Sequence, residues 1–132
     1  MKRLHGQHNE KVCNKLNLDP LICNDWIVTT AFYSAIHFLD HALFPCTLDG
    51  ENFQNISEAH KSIRSNSKHQ TRGILLSKLM DQHYQDYLFL QTNSQNARYV
   101  NYDVNEAISN RAVSNLNKII SSYNKEKKEI KK

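Results

Sequence analysis

Glycine and proline are scarce in this chain, with 3 Gly and 2 Pro among 132 residues. A β-sandwich or barrel turns often and needs many more of both, so an all-β fold is excluded. Gly6, Gly50 and Gly73 are too few and too scattered to write a dinucleotide fingerprint or a P-loop, so those phosphate cradles are excluded too. Cysteine is also rare. Cys13, Cys23 and Cys46 are odd in number and contain no C-x-x-C pair. A disulfide framework or cysteine-based zinc site is therefore not expected, and a reducing cytoplasm is the expected compartment. No apolar run approaches the ~18 residues of a membrane span. Met1 to Gly6 is polar with no apolar stretch behind it. Neither a membrane association nor a secretory signal is expected.

What is present is the composition of a folded domain, 39% hydrophobic and 23% charged. The length suits one domain over residues 1–132. The net charge is +4, and the five Lys and two Glu of residues 125–132 carry +3 of it. The body is thus close to neutral. The basic stretch 123–132 reads as a frayed helix end that also attracts polyanions.

Hydrophobic periodicity is helical throughout and predicts an all-α, up-and-down bundle of four to five helices. The first helix is expected over 7–18, ended by Asp19-Pro20. The second runs from Trp26 to Phe44, with a core stripe of Val28, Ala31, Phe32, Ala35, Leu39 and Ala42. Its other face carries Trp26, Thr30, Tyr33, His37, Asp40, His41 and Phe44. Residues 45–66 form a polar connection with room for a short helix from Ser57. The capping box Ser67-x-x-Gln70 opens a third helix over 68–80. Asp81 is the expected cap of a fourth, with Tyr84, Tyr87, Leu88, Leu90 and Ala97 inward. After a break at 98–102, Asp103-x-x-Glu106 opens the last helix, whose stripe includes Val104, Ile108, Leu116, Ile119 and Tyr123.

Three motifs occur in order. They are Asp25-Trp26-x(4)-Ala31-Phe32-Tyr33-Ser34-Ala35-Ile36-His37, then His69-x-x-Arg72, then Tyr87-x-x-Leu90-x-x-x-Ser94-x-x-Ala97-Arg98-Tyr99. Together they resemble the HEPN-domain proteins, helical bundles of prokaryotic toxin–antitoxin and defence systems. The resemblance spans residues 25 to about 120. It implies a homodimer, RNA or a nucleotide as ligand, and a cognate antitoxin or nucleotidyltransferase as partner. Many members are metal-independent endoribonucleases with an Arg-x(4–6)-His motif, which Arg64-x-x-x-x-His69 matches. The chemistry suits such residues. Histidine titrates near neutrality and can move the 2′-OH proton. Arginine stays charged and grips phosphate with two donors.

In those ribonucleases the motif sits near the last helix, which here holds Arg111 and no His. Two classes therefore remain open. One is a ribonuclease with Arg64 and His69 catalytic. The other is a non-catalytic HEPN-like module that binds RNA, a nucleotide or a protein. Arg72, Arg98, Tyr99, Tyr33 and His37 are the expected substrate or phosphate contacts. In the alternative reading His69 and Arg72 tie the third helix to the bundle, and Arg98-Tyr99 locks the fourth helix to the second. His37, Asp40 and His41 have a spacing that can chelate metal, but no second helix completes a ligand set. His37 is instead expected to bond Tyr33 or Tyr99, and no metal or cofactor is implied. Trp26 is expected in the core or at a dimer interface.

Overall fold

The most apolar helix of the sequence is the centre of the fold. In the computed structural model, which describes residues 2–18, 23–99 and 104–130, α2 spans Asn24–Leu43. It packs against α1 (Lys2–Leu18), α5 (Tyr84–Tyr99) and α6 (Glu106–Ile130). A helix wrapped on three sides needs apolar residues around most of its circumference. Val28, Ala31, Phe32, Ala35 and Leu39 are all buried, and Ala42 is partly so. Phe38, Leu43 and Ile27 extend the buried surface beyond the expected stripe.

Side-chain contacts fix the directions. Ser34 Oγ donates to the Gly6 carbonyl at 2.7 Å, and the Cys13 thiol reaches the Ile27 carbonyl at 3.6 Å. α1 and α2 are therefore antiparallel. Asn24 donates to the Val104 carbonyl at 3.0 Å, while the Phe38 and Tyr123 rings meet at 5.4 Å. α2 and α6 thus run the same way. Arg111 lies 4.2 Å over the Phe89 ring, which sets α6 back along α5. The chain is an up-and-down bundle of α1, α2, α5 and α6, with two further helices in the crossover from α2 to α5.

That crossover holds most of the departures from the sequence reading. Residues 45–66 contain a two-stranded antiparallel hairpin, β1 (Cys46–Leu48) and β2 (Glu51–Phe53), pairing Leu48 with Glu51. Asp49 and Gly50 both take positive φ, 52° and 83°, as a type I′ turn requires. Helix α3 (Ile56–Ile63) follows, capped by Asn55, whose side chain accepts from the Glu58 N–H. α4 (Lys68–Leu79) comes next, with a 3-10 turn (Asp81–His83) leading into α5. Asp81 is the first residue of that turn, whose cap position is held by Met80 without a side-chain bond.

Other boundaries also move. α1 begins at Lys2, ahead of residue 7, because Gly6 is helical and lies flush on Phe38. The expected cap Asp103 lies outside the described residues, as do Asp19-Pro20 and 100–102. At the start of α6 it is Asn105 whose side chain accepts from the Ile108 N–H at 2.9 Å. Trp26 is not in the core of the chain, being 58% exposed, and Leu88 turns outward.

Candidate functional site

The site begins with the start of α4. Ser67 caps the helix by accepting from the Gln70 N–H at 3.1 Å. Gln70 reaches back one residue further than a capping box does, accepting from the Asn66 N–H at 2.7 Å. Thr71, fully buried, anchors the α3–α4 link through hydrogen bonds to Ser65 (2.7 Å) and His60 (2.9 Å). The first turn of α4 is thus fixed on both sides.

One turn on, Arg72 points into the bundle. Its Nε and a terminal nitrogen donate to the two Asp40 carboxylate oxygens at 2.6 and 2.8 Å. Both side chains are almost fully buried. Burial by itself would lower the Arg72 pKa, but the Asp40 hydrogen bonds and charge outweigh it and raise it above the ordinary value. The remaining terminal nitrogen lies 3.1 Å from His69 Nδ1. Arginine can only donate, so Nδ1 is the acceptor and the neutral ring carries its proton on Nε2. The electrostatic surroundings agree. Burial, then the charges of Arg72 and Arg98, hold His69 below the usual histidine range against the opposing pull of Asp40. The Phe32 ring packs edge-on against His69 at 5.1 Å. Tyr87 donates its hydroxyl to the His69 carbonyl at 2.7 Å. Burial pushes the Tyr87 pKa up to about 12.

His69 also lines a cleft of about 470 Å³ between the start of α4 and the first turns of α5. Its walls mix polar groups, from Asn66, Ser67, Gln70, Tyr84 and Gln91, with the apolar side chains of Ile74 and Leu88. The cleft thus offers hydroxyl and amide hydrogen-bonding groups together with one histidine whose tautomer is fixed from behind.

The residues singled out in the sequence fall into three places. His69 and Arg72 come together as described, but Arg72 is not an open phosphate contact, since Asp40 and His69 occupy all its nitrogens. Arg64 stands apart. It ends α3 in a left-handed conformation (φ 57°), exposed, with Ser65 to Ser67 intervening before α4. Arg64 and His69 therefore share no helical face, and no hydrogen bond or ring contact joins them among the described residues. The third group is Tyr33, Arg98 and Tyr99. Arg98 donates to the Tyr33 hydroxyl and, through Nε, to the Ser94 carbonyl at 3.3 Å. This ties α5 to α2. His37 lies elsewhere on α2, its ring 5.2 Å from that of His5 in α1.

Asp40 is the residue whose importance the sequence did not signal. It shares the second face of α2 with His37 and His41, a spacing that can chelate metal but lacks a completing ligand set, and nothing local points to a buried guanidinium. Among the described residues no three His, Cys, Asp or Glu side chains converge to hold a metal ion. Burial raises the Cys13 and Cys46 thiols, so neither is poised as a thiolate. No helix among the described residues is long and apolar enough to cross a membrane. In comparisons with known proteins, the chain matches no family model, no curated protein and no solved structure.

Proposed function

We propose that this chain is a HEPN-like module that binds RNA at the α4–α5 cleft without cleaving it. The observation that carries the reading is the Arg72–His69 hydrogen bond at 3.1 Å. General-base catalysis requires a free lone pair on the imidazole. Here the only lone pair is on Nδ1, and it faces Arg72. What His69 offers a ligand is its Nε2–H, a donor suited to phosphate or to a base edge. Separation of Arg64 from His69 on two elements argues the same way, because a phosphate clamp and a proton carrier must meet at one phosphorus. The homodimer and the antitoxin or nucleotidyltransferase partner belong to the same proposal.

The test compares the wild type with His69→Ala on labelled single-stranded RNA with EDTA present. Anisotropy is expected to show binding by the wild type, weakened roughly fivefold by loss of about one hydrogen bond. Gel analysis is expected to show intact RNA with both proteins. EDTA-resistant cleavage that disappears in His69→Ala would instead establish the ribonuclease, with His69 released from Arg72 on binding. Absence of any RNA binding sinks both readings.

A further inference from the structure

The Arg98 guanidinium packs against two aromatic rings. Its central carbon lies 5.2 Å from the centroid of Tyr33 and 5.1 Å from that of Tyr99. Hydrogen bonds to the Tyr33 hydroxyl and the Ser94 carbonyl keep the cation in place. Tyr99 is 74% exposed, so the outer part of this stack faces solvent. Two turns before Tyr33, on the same side of α2, stands Trp26, also exposed. Thr30 lies between them, its hydroxyl bonded to the Trp26 carbonyl at 2.8 Å. Trp26, Thr30, Tyr33, Arg98 and Tyr99 thus form an open surface of aromatic faces and one fixed cation.

We propose that Tyr33, Arg98 and Tyr99, with Trp26 beside them, form a base-stacking subsite for single-stranded RNA. The subsite deepens the RNA-binding reading above and rests on it. Aromatic faces accept any base, and an ordered arginine adds cation–π attraction and a charge for the adjoining phosphate. The side chains named here are aromatic, hydroxyl-bearing or cationic, which fits bases better than the apolar core of a protein interface. A single strand is the matching partner because its bases are free to splay, whereas duplex bases are already stacked. The stack and the cleft adjoin one core ring: buried Phe32 meets the Tyr33 ring at 5.6 Å and the His69 ring at 5.1 Å. Arg98 is also close enough for its charge to act on His69. One strand can therefore place a base on the stack and a phosphate or base edge at Nε2–H.

Trp26 is the only tryptophan, so its fluorescence reports on this surface directly. The experiment titrates the full chain with oligo(A) of about ten nucleotides, with an abasic oligomer of equal length, and with a duplex. The expected result is quenching of Trp26 by oligo(A). Affinity should fall at least about fivefold in Tyr99→Ala, stay near wild type in Tyr99→Phe, and be weaker for the abasic and duplex ligands. Tyr99 is exposed, so neither variant threatens the fold. Equal affinity of wild type and Tyr99→Ala for oligo(A), or equal binding of oligo(A) and the abasic oligomer, overturns the subsite while leaving RNA binding at the cleft intact. A Tyr99→Ala variant that changes only the sedimentation of the protein overturns it in favour of a contact between two copies. Loss of binding in Tyr99→Ala but none in His69→Ala would instead retain the stack and sink the cleft reading.

Discussion

Arg72 and Asp40, thirty-two residues apart, form a buried two-pronged ion pair that joins α4 to α2 at 2.6 and 2.8 Å. It is a charged contact drawn into the core, and it stands directly behind His69.

Removing one partner leaves the other charged and dry. Asp40→Ala and Arg72→Met are each expected to destabilise the fold by about 3–5 kcal/mol. The double variant is expected to lose clearly less than the two single losses combined, because neither charge is then left unpaired. Urea unfolding of the four proteins gives the coupling. Strict additivity would show that the pair contributes nothing as a pair.

The depressed pKa of His69 fixes the sign of a pH effect. The folded chain binds this proton less readily than the unfolded chain, whose histidine titrates near ~6.5. Stability from this residue is therefore complete above that value and is lost as pH falls below it toward the folded-state pKa. His69→Gln is expected to flatten that part of the acid-side loss in unfolding measurements between pH 7.5 and 5. Nitrogen NMR at neutral pH should show the ring as the Nε2–H tautomer. A ring protonated on Nδ1 would contradict the Arg72 bond.

Two helical glycines should respond oppositely to alanine. A Cβ at Gly6 would come within 2.9 and 3.0 Å of the Phe38 ring and 3.3 Å of the His37 Cβ. Phe38 is buried and cannot swing aside. Gly6→Ala is expected to cost about 1–3 kcal/mol through overpacking, partly offset by helix propensity. At Gly73 the nearest atoms are Tyr87 and Tyr84 ring carbons at 3.6 and 3.9 Å, ordinary contacts. Gly73→Ala is expected to stabilise by about 0.5–1 kcal/mol. Thermal melts of both variants check the pair of signs.

Much of the helical framework was legible locally. The stripe Val28, Ala31, Phe32, Ala35, Leu39 works because 3.6-residue spacing gathers those positions on one side whatever they later touch. Ser67 works as a cap for the same reason, since its partner Gln70 is three residues away. The hairpin was also written locally, in Asp49-Gly50 between Leu48 and Glu51, a signal masked by the polarity of the surrounding stretch. At α6 the observed cap is Asn105; Asn and Asp side chains can both accept from a helix-start N–H, and only the path of the chain selects which residue does so.

From its order of residues alone, this protein was bound to be a helical bundle centred on the helix expected from Trp26 to Phe44. Periodicity and the scarcity of turn residues are properties of neighbours along the chain. Tertiary structure decided which polar groups met. Asp40 and Arg72, or Tyr33 and Arg98, lie 32 and 65 residues apart, and no short-range rule relates them. Once Asp40 had captured Arg72 away from water, His69 was left with a fixed proton on Nε2, and Arg64 remained outside on the end of another helix.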